Sequence, residues 1–148
     1  MILVKGVAKT PRMSIQAYQS QQDWDILGAS PLELVRALYR GAIQAIRSAR
    51  VSLANGQIRE RSAAITKACA IVQELAVSLD KDAGGEVAAN LAELYIYIHR
   101  RLGDANIEQT DQPLAEVERL LTTLGDAWDQ IGAEEQTEAS NEPLRLSA

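Results

Sequence analysis

Cysteine and histidine each occur once in these 148 residues, at Cys69 and His99. A single thiol makes no intrachain disulfide and no thiolate cluster around a metal. A basic excess is missing as well. The net charge is −5, where a general nucleic-acid binder carries a positive footprint. No apolar run is as long as a signal-peptide core or a membrane span, and the opening MILV meets Lys5 at once. The expectation is a cytoplasmic protein with no nucleic-acid partner and no membrane insertion. Glycine and proline are sparse inside the periodic segments, and the alternation of a half-buried strand is absent. Hydrophobic residues make up 47% of the chain, too many for a disordered polypeptide. A chain of this length buries a core without staples. These absences leave an all-α domain.

The residue sets of catalysis are also thin. His99 stands in His99-Arg100-Arg101 near the end of a helical segment, where a cation suits the helix dipole. Metal sites in helical bundles use Glu-x-x-His pairs turned inward, and position 96 is isoleucine. Glu74, Glu86 and Glu93 fall outside the apolar arcs of their segments. Cys69 lies at the margin of one such arc and reads as a small apolar side chain. Gly84-Gly85 reads as a helix stop rather than a phosphate loop, and no nucleophile–base pair is visible. Neither an enzyme nor a cofactor or metal is expected.

What is present is helical periodicity. Residues 1–13 read as a flexible arm. Ser14–Leu27 can form a short helix bearing Ile15, Tyr18 and Trp24. Ser30-Pro31-Leu32-Glu33 is a strong helix start: the Ser30 hydroxyl can cap Glu33, whose carboxylate reaches back, and Pro31 needs no hydrogen bond there. That helix runs to Asn55-Gly56, a left-handed stop. Its core row is Val35, Leu38, Ala42, Ile46, Ala49 and Leu53, with Leu32, Tyr39 and Ile43 widening the stripe. The next helix spans about 57–81, with Ala64, Ala68, Ile71, Val72, Leu75 and Leu79 inward and Gly84-Gly85 ending it. A further helix follows to about Asn106. Asp111 can cap the last, about 112–131, with a narrow stripe of Leu114, Val117, Leu120, Leu121, Leu124, Trp128 and Ile131. Residues 133–148 turn acidic and polar and read as a disordered tail. Short connections favour an antiparallel up-down-up-down four-helix bundle over residues 14–132, preceded within it by the short N-terminal helix.

Two segments carry more apolar surface than a bundle helix facing one layer requires. Apolar positions in 31–55 fill roughly 200° of the helical wheel, where about 100° suffices. In 85–106, Ile96 and Tyr97 fall outside the arc set by Leu91, Leu94, Tyr95, Ile98 and Leu102. Surplus apolar surface points to binding rather than catalysis. Arg36, Arg40 and Arg47 line one side of the first of these helices. They read as a solvated face, one that acidic groups of a protein partner could also use.

Several short stretches, in order and at consistent spacing, carry a family resemblance. They are Ile15-x-x-Tyr18, Gly28-Ala29-Ser30-Pro31-x-x-Leu34, Leu38-Tyr39-Arg40-Gly41-Ala42 and Gly84-Gly85-Glu86. Asn90-Leu91-x-x-Leu94-Tyr95-x-Tyr97, Arg100-Arg101-Leu102-x-x-Ala105-Asn106 and Asp126-Ala127-Trp128 continue the series. Together they resemble the FliS-type flagellar export chaperones from about Ile15 to Ile131. The resemblance departs at two positions: the family usually has acidic residues where Arg40 and Ile96 stand.

The resemblance implies a chaperone that holds the disordered C-terminal segment of flagellin, prevents its premature polymerisation and delivers it to the flagellar type III export apparatus. That cargo would lie as short helices along the surplus stripes. The contact residues expected on this basis are Ile15, Tyr18, Leu32, Tyr39, Ile43, Tyr95 and Ile98, although the wheel places Tyr95 and Ile98 equally well inside. The Ile15/Tyr18 segment would act as a displaceable lid or stay docked. A second export factor or flagellar regulator, such as the export gate, would be a further partner. The competing reading is a helical-bundle adaptor or homodimerisation module that uses the same apolar groove.

Overall fold

The computed structural model of the chain describes residues 30–146, with side chains described for residues 30–137. The expected arm, the 14–27 helix, Ile15 and Tyr18 lie outside the described residues. Four helices follow one another: α1 (Pro31–Ala54), α2 (Ile58–Val77), α3 (Lys81–Glu108) and α4 (Asp111–Leu146). The α1 helix packs on α2 and α4, and α3 packs on the same two, so consecutive helices occupy adjacent corners of a square. Connections of two or three residues force each helix to run antiparallel to the one before it. The architecture is the all-α four-helix bundle that the periodicity predicts.

Local chemistry sets the helix ends. Ser30 Oγ accepts the Glu33 N–H, and Glu33 Oε2 accepts the Ser30 N–H, each at 3.2 Å, so the capping box forms as expected. The α1 helix stops at Asn55, and Gly56 takes φ +70°, a conformation a side chain would strain. The next boundary corrects the sequence reading. The α2 helix ends at Val77, well before the glycine pair, and Asp80 caps a new helix by accepting the Ala83 N–H at 3.0 Å. Gly85, at φ 58° and ψ −133°, then kinks α3 one turn after its start. A strong cap at Asp80 wins over the stop signal of Gly84-Gly85.

The other end of the chain also differs from expectation. The α4 helix continues past Ala133 to Leu146, where composition argues for disorder. Its residues 133–136, Ala-Glu-Glu-Gln, are good helix formers, so propensity extends the helix although residues 133–137 are all exposed.

The core lies along the bundle axis and is one continuous cluster. The α1 helix supplies Leu32, Val35, Tyr39, Ala42, Ala45, Ile46 and Ala49, and α2 supplies Ile65, Ala68, Val72 and Leu75. Tyr95, Ile98, Leu102 and Ala105 come from α3, while Leu114, Val117, Leu121 and Trp128 come from α4. Leu38 and Leu53, expected in the α1 core row, are only partly buried against it.

Ion pairs fasten the seams on either side of α4. Arg36 reaches Asp129 at 2.8 Å, Arg47 reaches Glu118 at 3.1 Å, and Arg50 reaches Glu118 at 3.0 Å. Arg50 also grips both carboxylate oxygens of Asp111, at 2.7 and 2.8 Å. The Asp111 carboxylate, expected as a helix cap, is thus turned to a neighbouring helix. Across the other seam, Glu116 accepts from Tyr97 at 2.7 Å and from Arg101 at 2.8 Å.

These contacts hold the three carboxyls below their ordinary range. Asp111 is lowered by its Arg50 bonds, and Glu116 by Tyr97 first and Arg101 second. Burial opposes ionisation of Glu118, but Arg50 and Arg47 together outweigh it. A carboxyl whose folded value is depressed stabilises the fold above its unfolded value and loses that contribution as pH falls through the folded one. Stability should therefore decline from about pH 4.5, the ordinary glutamate value, downward. The Arg50 pairs with Asp111 and Glu118 are partly exposed and contribute about 0–1 kcal/mol each, and the Glu116 contacts lie at the surface, so the combined loss is modest. Urea midpoints between pH 6 and 3 measure it. Arg50→Gln should flatten the acid limb, and a wild-type profile already flat there would contradict the account.

Candidate binding groove

A groove of about 520 Å³ runs between α1 and α4. Tyr39 and Ile43 from α1 and Gly125 from α4 lie in its lining, with Arg36, Arg40, Gln44, Arg47, Thr122, Asp126 and Asp129 beside them. The helices come close at Gly125, where a Cβ atom would stand 3.8 Å from Ile43 Cδ1 and from Tyr39 Cβ. Helical spacing explains the grouping: Arg36, Arg40, Ile43 and Arg47 are three or four residues apart and share one side of α1. Arg36 and Arg47 meet carboxylates of α4, which accounts for their alignment without invoking a partner. Among the described residues, Arg40 alone of the three has no ion pair. The groove therefore offers an aliphatic lining at Ile43, above the buried Tyr39, between rims of both charge signs. It brings together no nucleophile and base, and no group of metal-ligating side chains is found among the described residues.

The structure sorts the expected contact residues into three sets. Ile43 is half-buried and lines the groove. Ile15 and Tyr18 lie outside the described residues. Leu32, Tyr39, Tyr95 and Ile98 are core residues, exposed by 8%, 1%, 2% and 0%. For these four the picture of an open stripe is corrected. A helix at the corner of a square bundle faces two neighbours, so a wide apolar arc is taken up by two interfaces. Tyr39 goes further and crosses the bundle axis. Its hydroxyl hydrogen-bonds to that of Tyr95 on the diagonally opposite helix. Its ring lies 6.5 Å from the ring of Tyr95 and 6.3 Å from that of Trp128.

Burial raises the Tyr39 hydroxyl pKa, with hydrogen bonding to Tyr95 and Trp128 partly offsetting the effect. Tyr95 is raised by burial first and by Tyr39 second. Both hydroxyls stay protonated and serve packing. Burial likewise pushes the Cys69 thiol up, away from the reactive thiolate. Sequence reasoning missed Gly125, Thr122, Asp126 and Asp129 as groove residues. Their signal was present as i, i+3 and i+4 spacing on α4, but that spacing does not say which helix they face.

Comparison with known proteins agrees over most of the chain. Residues 14–135 match the family described as "Flagellar protein FliS". The flagellar secretion chaperone FliS of Salmonella typhimurium is 40% identical over 119 residues, covering 79% of this chain and 88% of that protein. The flagellar secretion chaperone FliSB of Pseudomonas aeruginosa is 34% identical over 131 residues, covering 88% and 98%. The FliS chaperone of Bacillus subtilis is 36% identical over 119 residues, covering 80% and 88%.

Proposed function

We propose a cargo for this chain, which belongs to the FliS family of flagellar secretion chaperones: the C-terminal segment of flagellin. The observation that carries the reading is the α1–α4 groove, with Ile43 and Tyr39 in its lining and arginines and aspartates at its sides. An amphipathic segment fits such a surface, its apolar anchors on the lining and its polar flanks on the charged rims. Ile43 is the direct contact within the groove. Leu32, Tyr39, Tyr95 and Ile98 act from beneath, fixing the helices that shape it. Ile15 and Tyr18 complete the proposed contact set. The chaperone keeps the segment from polymerising in the cytoplasm and hands it, still unfolded, to the export apparatus.

Ordering a disordered segment costs about 2–5 kcal/mol or more, so useful affinity requires a wide wrapped surface. Calorimetric titration of the full chain with a peptide from the C-terminus of flagellin tests the reading. A saturable one-to-one complex with a negative heat-capacity change is expected. Absence of binding by the peptide, together with no complex on co-expression with whole flagellin, would overturn it.

A further inference from the structure

The outer side of α3 carries an apolar row that no described residue covers. Ile96 is 68% exposed and Ile107 81%. Ala89 and Gly103, seven residues before and after Ile96, are exposed too. Steps of seven or eleven residues return to within about 20° on a helix, so these four positions form one line. The seams of α3 lie on either side of it: Tyr97 and Arg101 bond to Glu116 of α4, and Asn106 accepts from Ser62 of α2. Ile96 and its row face solvent between them.

The row has a symmetry of its own. Ile96 sits at the centre with one small residue a heptad away on each side. Glu93 precedes it by three and Arg100 follows by four, on the same flank. Arg100 is drawn up over the Tyr97 ring, 5.6 Å from its centroid. Among the described residues neither Glu93 nor Arg100 makes an ion pair.

We propose that this row is a self-association surface on which a second copy of the chain docks with its α3 antiparallel, the two-fold axis passing beside Ile96. In that arrangement Ile96 packs on Ile96 of the second copy. Ala89 meets Gly103, and these small side chains let the helices approach closely. Glu93 faces Arg100 on the same flank, and symmetry forms the pair twice. Ile107 falls opposite Gly85, where an added Cβ would meet nothing within 4 Å in its own chain. The charges favour this orientation: in a parallel two-fold pairing that flank would face the other flank of the second copy, where Ala92 and His99 stand, and the Glu93–Arg100 pairs would not form. One helix face per copy is a small interface, so the dimer is concentration-dependent, with a dissociation constant in the micromolar range.

This surface is on the outside of α3, away from the α1–α4 groove, so it stands or falls separately from the cargo reading. Analytical ultracentrifugation of the full chain at rising concentration is the test. Ile96→Asp should weaken dimerisation about tenfold or more while leaving helicity and the flagellin-peptide titration unchanged. Glu93→Arg should weaken it as well, and Glu93→Arg with Arg100→Glu should restore it, since the swapped pair is equivalent in an antiparallel dimer. A chain monomeric throughout the range, a dimer indifferent to Ile96→Asp, or a double swap that fails to rescue would each overturn the proposal. If Ile96→Asp reduces peptide binding and leaves the oligomeric state alone, the row belongs to the cargo.

Discussion

Tyr39→Ala is expected to lower the free energy of unfolding by about 3–5 kcal/mol, the usual cost of truncating a fully buried aromatic ring. The size follows from position. Tyr39 leaves α1, crosses the bundle axis and contacts aromatic side chains of both α3 and α4. Removing it opens a cavity where three of the four helices meet, and close-packed neighbours relax into such a cavity only in part. Tyr39→Phe isolates the hydroxyl. It leaves the Tyr95 hydroxyl buried without its partner, at a cost of about 1–3 kcal/mol. Tyr95→Phe should cost a similar amount. The double substitution should cost clearly less than the sum, because neither hydroxyl is then stranded. Urea unfolding of the four proteins measures the cycle. A loss below about 1 kcal/mol in Tyr39→Ala would mean the ring is not the joint described. Alkaline pH probes the same pair: burial raises both hydroxyls above the ordinary 10.0, so stability falls as pH climbs beyond about 10, where the unfolded tyrosines ionise first.

The parts of the fold legible in the sequence are those that depend on neighbours in the chain. Ser30 and Glu33 specify a capping box by their spacing alone, and Gly56 stops α1 because its own backbone conformation does so. Where two local signals compete, sequence gives no ranking, and Asp80 capped a helix that Gly84-Gly85 was expected to precede. The tail shows the same competition, with helix-forming residues after Ala133 against an acidic composition that suggested no order.

The site was harder to read because a helical wheel gives a direction and not a neighbour. It correctly found that α1 is apolar over a wide arc. It could not tell whether that arc faced a guest or two other helices, and Tyr39 and Leu32 turned out to face helices. Ile98 and Tyr95 were ambiguous for the same reason. Ile96, by contrast, fell outside the core arc on the wheel and is exposed in the bundle, since a side chain opposite the core has no helix to meet.

Ile43→Asp is the substitution that separates groove from core. Ile43 is only half-buried, so the carboxylate can turn toward Arg40 and Arg47, which line the same groove, and the bundle keeps its fold. The cargo has no such recourse. An aliphatic anchor that would have lost its water against Ile43 must instead settle beside a charge. A buried aliphatic side chain contributes about 1.5–3 kcal/mol. Affinity for the flagellin peptide should therefore fall about 10- to 100-fold, at 1.4 kcal/mol for each factor of ten. Gln44→Ala, at the rim of the same groove, should change it little, because a solvated rim contact contributes much less than a desolvated anchor. Calorimetry with one peptide and thermal melts of each variant separate lost binding from lost folding. If Ile43→Asp binds as tightly as the parent chain, the cargo lies elsewhere on the bundle and the groove between α1 and α4 is only the seam left by their ion pairs.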